Sequence, residues 1–178
     1  MWRSVTGRSR LLRAATSGPI KYSDCVITAA LLFVHLVAFA TYLGSGFGQL
    51  QLMKLSARSG TAADVRDAYE RLAAIVTTRI EVPAIFVSVA SGIGFIAQNP
   101  AFMKQGWLHG KLLCVLFLAI LSHLEMFNAR GIVRARAAGG PGADAEIAKR
   151  KARHSVMGSF GAVLVVVLLV LVTFVRLR

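Results

Sequence analysis

The chain is 178 residues long, with 21 Lys and Arg against 8 Asp and Glu, a net charge of +13 and a mean hydropathy of +0.63. At 56% hydrophobic it has more apolar surface than a soluble domain of this size buries, which excludes an ordinary globular protein. The positive charge is therefore read against a membrane surface, and nucleic acid is excluded as a partner.

The N-terminal segment MWRSVTGRSRLLRAATS carries four Arg, several Ser and Thr and no acidic residue. Two readings of residues 1–22 stay open: a transit segment, or a basic tail lying on anionic headgroups. Residues 23–178 read as one transmembrane domain with spans at 25–46, 82–97, 107–128 and 156–175. Each is near the ~20 residues that cross the hydrocarbon. The second is short, but a helical pattern runs back from it through residues 63–78, as for a longer helix leaving the membrane. The expected fold is all-α, an integral membrane four-helix bundle. Cys25 and Cys114 are isolated thiols and behave as small hydrophobes, and GGPGADAE at 139–146 reads as a loop tip.

Four spans place segments 47–78 and 129–155 on one side of the membrane. That side holds Lys54, Arg58, Arg66, Arg71, Arg130, Arg134, Arg136, Lys149, Arg150, Lys151 and Arg153, so it faces the cytoplasm or matrix. The N-terminal cluster Arg3, Arg8, Arg10, Arg13 and Lys21 opposes that orientation unless it is removed by processing. The membrane is then a bacterial inner membrane or, with a transit segment, the mitochondrial inner membrane.

Ionisable groups at membrane depth are costly unless paired, coordinated or facing a polar cavity, so they mark function by default. His35 sits about ten residues into the first span, roughly 15 Å deep. Leu31, Phe39 and Tyr42 share its helix face and offer an apolar and aromatic wall. A His hydrogen-bonded to a neighbouring helix is the plain alternative to a haem or quinone role. On the second span Ala84, Ser88 and Gly92 recur every fourth residue, which is the spacing of close helix packing.

The third span is apolar yet carries His109, Lys111, His123 and Glu125. His109 and His123, fourteen residues apart, fall within about 40° of one face and about 21 Å apart along the axis. This is the placement of axial ligands to haem near one or both membrane faces. Lys111 either snorkels to the interface or meets an anionic group such as a porphyrin propionate. Glu125 and Asn128 are expected at a wet helix end, and His154 as a solvated interfacial His among Lys151 and Arg153.

The run IGFIAQNPAFMKQGWLHGKL at 93–112 resembles the matching region of the HemJ-type protoporphyrinogen IX oxidases. There an Ile-Gly-Leu-Ile run, a Pro-containing turn and Lys-x-Gly lead into Trp-Leu/Met-His-x-Lys. The likeness extends to ERLAAIVTT at 70–78 and to His35 followed seven residues later by Tyr42, where the family has His and then Trp. His123 falls one residue from a family His. About 20 residues resemble the family at motif strength. The resemblance implies a four-helix membrane protein binding haem b, with His35 as axial ligand, His109 in the family motif and Lys111 as a functional residue. The implied reaction is six-electron oxidation of protoporphyrinogen IX, with electrons passed to quinone.

Two family signatures are missing. GSGFGQLQL stands where the family has Tyr-Leu-x-Arg-Leu, and KRKARHSVMGS lacks its Asn-Glu pair. A second reading follows from these losses: a haem-binding electron-transfer or accessory subunit of a larger membrane complex, with no substrate of its own. The partners are then membrane lipid, a porphyrin or quinone, and a second copy or complex subunit. A copper-handling protein is disfavoured because soft copper selects Met and Cys clusters that are scarce here.

Overall fold

The computed structural model describes residues 22–175; the targeting or tail segment lies outside the described residues. Residues 22–175 are helical almost throughout: α1 (Tyr22–Ser56), α2 (Ala63–Val76), a π-helical turn Thr77–Glu81, α3 (Val82–Gln98), a short 3-10 turn Pro100–Lys104, α4 (Gly106–Ala138), α5 (Ala143–Val170) and a terminal π turn Leu171–Val175. No strand occurs among the described residues. Four helical rods, Cys25–Ser56, Ala63–Gln98, Gly106–Ala138 and Ala143–Phe174, are long and apolar enough to cross a membrane.

The second rod is α2 and α3 joined through the π turn. Pro83 opens α3, has no N–H and would press its ring on the carbonyl four residues back; widening the preceding turn relieves both conflicts. The rod stops at Asn99, whose side chain accepts from the Ala101 N–H at 3.2 Å while Pro100 starts the 3-10 turn. At the other end Gly139 (φ 60°) closes α4 and Gly142 (φ 92°) opens α5, left-handed positions that favour glycine.

The rods outrun the bilayer. α1 has 35 residues, about 52 Å at 1.5 Å per residue, against a hydrocarbon thickness of ~30 Å. The expected helix through 63–78 is present, 47–56, 129–138 and 143–155 are helix as well, and the connections shrink to 57–62 and 139–142. The extensions persist outside the apolar zone because they have a core of their own. Met53, Ala73, Ala74, Ala129, Ile132 and Ile147 pack together at the basic end, apart from the membrane-level core of Tyr42, Ala84, Ile85, Cys114, Leu118 and Leu168. Large apolar side chains such as Phe33, Phe47, Val156 and Val166 remain exposed on the outside, as they do where lipid is the solvent.

α1 packs along α2 and α3, and α4 along α5, with thinner seams between α3 and α4 and between α1 and α5. Gly158 of α5 is where the last seam closes: a Cβ there would overlap the Leu50 side chain of α1. Cys25 is exposed and Cys114 buried, both as free thiols.

Candidate functional site

His35 lies in the α1–α3 seam. Its Nδ1 is 2.9 Å from the Ser88 carbonyl and 3.0 Å from the Ser91 hydroxyl oxygen. Because a carbonyl only accepts, Nδ1 carries the proton and Nε2 keeps its lone pair. Phe95 meets the ring edge-on at a centroid distance of 6.1 Å. Gly92 keeps the seam narrow: a Cβ there would touch the imidazole at 3.7 Å. The stripe Ala84, Ser88 and Gly92 thus does two things, packing the helices closely and presenting an acceptor to His35.

Lys111 of α4 stands close enough to His35 for its charge to act on the ring. Two residues back, His109 is turned about 200° away and is exposed. His123 is half-buried; its Nδ1 donates to the Ala119 carbonyl at 2.8 Å, again leaving Nε2 with a lone pair. It packs edge-on against Phe86 of α3 at 5.4 Å. Phe86 and Ser88 project about 200° apart around α3, so His123 and His35 occupy opposite sides of that helix. The fold therefore seats His35 in the α1–α3 seam and keeps His109 and His123 on a separate stripe.

Tyr42 does not share a wall with His35. It is buried toward α4, where its phenol oxygen accepts from the Ser122 hydroxyl at 3.3 Å. Ser122 stands between this phenol and the Glu81 carboxyl, which is 2% exposed and whose Oε2 has no hydrogen-bond partner among the described residues. One turn further along, Gln49 links two helices: its Nε2 donates to Glu125 Oε2 at 3.3 Å, and its Oε1 lies 2.6 Å from His154 Nε2. The expectation of a wet end at Glu125 and Asn128 and a solvated His154 is overturned. They are 6%, 0% and 1% exposed, because helix extensions cover what would otherwise be the interface. Asn128 is held by α5, donating to the Arg150 carbonyl at 2.8 Å and accepting from Arg153 at 2.6 and 3.1 Å.

Above this polar layer Glu70 is fully buried. It receives Arg136 through two hydrogen bonds, at 2.8 and 3.0 Å, and Lys151 at 2.6 Å. Sequence reading passed over Gln49 and Glu81, set His154 aside as solvated, and met Glu70 only as the first residue of the run ERLAAIVTT.

Among the described residues no three His, Cys, Asp or Glu side chains converge to hold a metal ion. A haem iron asks less of a protein, one or two axial ligands, and the anchored imidazole of His35 has the chemistry of such a ligand.

Long apolar helices, a lipid-facing exterior and a buried polar interior define an integral membrane four-helix bundle. Residues 29–176 match the family described as Predicted integral membrane protein (DUF2269), and the chain belongs to that family. No curated protein and no solved structure matches the chain.

Proposed function

We propose that the chain is a haem b-binding membrane oxidoreductase in which His35 is an axial ligand. The observation that carries this reading is the His35 imidazole itself. It sits within an apolar seam, with Nδ1 committed to a backbone carbonyl and Nε2 left as an electron-pair donor. Ligating histidines are oriented by such an outer hydrogen bond, which fixes the tautomer and raises basicity. Lys111 adds the cation that a porphyrin carboxylate needs at the edge of a low-dielectric site. Bound haem would supply one-electron chemistry; Ser88, Ser91 and Phe95 would orient the ligand ring and exclude water. His123, with its own anchored Nδ1, and His109 form the stripe for a second binding position.

The finer reading is oxidation of protoporphyrinogen IX with quinone as acceptor, supported by the HemJ-like run at 93–112. In it Lys111 holds the anionic substrate, while Tyr42, bonded to Ser122 in the core, stands apart from the ligand. The loss of the Tyr-Leu-x-Arg-Leu signature favours the second reading, an electron-transfer subunit without a substrate.

The experiment is a reduced-minus-oxidised spectrum of purified protein, supplemented with haem. A b-type spectrum in the wild type that is lost in His35→Ala supports the proposal. Full helicity with no Soret band overturns it. A bacterium lacking its own protoporphyrinogen oxidase then separates the two finer readings: rescue by the wild type and failure by Lys111→Ala with haem retained mean oxidase. Haem without rescue means electron carrier.

A further inference from the structure

Where the second and third rods leave the apolar zone, Arg71, Ala74, Ile75 and Thr78 recur at helical spacing on one face of α2 and its π turn, followed by Arg79. Arg130, Val133 and Arg134 face them from α4. Between the two lies a groove of about 420 Å³ with an apolar floor and four arginines on its walls. The Arg130 Nε–H donates to Thr78 Oγ1 at 3.2 Å, which fixes one guanidinium on the wall.

The charge in this groove is compensated only at Arg71. Arg71 pairs with Asp67 at 2.9 Å, but both side chains are solvated, 62% and 28% exposed. Among the described residues no carboxylate pairs with Arg79, Arg130 or Arg134. The nearby carboxylates are engaged elsewhere: Glu70, adjacent in sequence to Arg71, by Arg136 and Lys151, and Glu146 by Arg150. Converging guanidiniums repel one another unless an anion sits between them, and their planar forks match phosphate oxygens.

The level of the groove identifies the rest of the ligand. Ile75 and Ile80 are exposed apolar side chains on the same rod, a surface suited to acyl chains, and the arginines beside them stand where the rod leaves the apolar zone at the basic end. We propose that this α2–α4 groove is a binding site for an anionic phospholipid. Arg79, Arg130 and Arg134 hold its phosphate, and an acyl chain leaves along Ile75. Basic pockets between spans on the cytoplasmic or matrix side are suited to such headgroups. The site is independent of haem binding at His35.

The test is native mass spectrometry of the full chain from neutral detergent, with phosphatidylglycerol, phosphatidylcholine or inorganic phosphate added. Wild type should retain phosphatidylglycerol and not phosphatidylcholine. Arg130→Gln/Arg134→Gln should weaken retention by about tenfold or more, and Arg58→Gln, outside the groove, should not. Equal retention of the two lipids, unchanged retention in the double variant, or displacement of the lipid by inorganic phosphate overturns the proposal. Should the double variant not fold, Arg79→Gln on the exposed turn gives the same reading.

Discussion

Glu70→Gln should loosen the basic end of the bundle and leave the membrane-level core in place. The carboxylate is fully buried on α2 and is shared by a guanidinium of α4 and an ammonium of α5, with contacts at 2.8, 3.0 and 2.6 Å. Glutamine keeps the volume and one acceptor but removes the negative charge, so Arg136 and Lys151 are left near each other, 23% and 16% exposed. Removing one partner of a buried pair costs about 3–5 kcal/mol. Here each cation retains a weaker contact, Arg136 with the exposed Asp144 at 3.1 Å and Lys151 with the Ser56 carbonyl at 3.3 Å. The low end, about 3 kcal/mol, is therefore expected, which at this chain length lowers an unfolding midpoint by roughly 6–12 °C. Loss of helicity on heating in detergent micelles measures it. A double-mutant cycle with Arg136→Gln should return a coupling of about 1 kcal/mol or more. A midpoint unchanged within about 1 °C would refute the claim that one carboxylate ties the three helices together.

Two further outcomes follow from the same geometry. Gly158→Ala puts a methyl where the Leu50 side chain lies, so α1 and α5 must part or Leu50 must leave its rotamer; a loss of about 1–3 kcal/mol in the same melt is expected, and a neutral result means the seam is not closed there. Gly140→Cys, in the α4–α5 connection, tests the orientation that the excess of Lys and Arg leads one to expect, with the basic end in the cytoplasm or matrix: it should resist an impermeant thiol reagent in sealed right-side-out vesicles, and labelling there reverses the orientation.

The helical class and the four membrane crossings were legible because a bilayer imposes a length and a composition on each rod, and unbroken apolar runs satisfy both. The helix ends were not. Hydropathy marks where the hydrocarbon stops, and α1 continues ten residues beyond the expected limit at 46, to Ser56. What holds those extra turns is tertiary: the small residues Ala73, Ala74 and Ala129 bring α2 and α4 close enough to bury Ile132 and Ile147. An alanine-rich stretch between charges reads locally as a solvated helix, and only its neighbours make it a core.

The same cause hid part of the candidate site. His35 was conspicuous because it is the sole imidazole of its span, and its partners at Ser88 and Gly92 fall on the small-residue stripe that the sequence displayed. His154 has the opposite signature: Lys151 and Arg153 precede it, which marks an interface by composition. Yet those two cations are drawn off by Glu70 and Asn128, and His154 turns inward to Gln49, an uncharged residue that no motif singles out. Gln49 bonds His154 Nε2 and Glu125 at once, each on a different helix, so its importance is a property of three elements and of none alone. Amphipathic patterning ranks a residue by its own polarity. In a bundle whose charged ends are themselves helical, burial is decided by whether a charge finds its partner, and Glu70, placed among so many cations, decides it for Lys151 and Arg136.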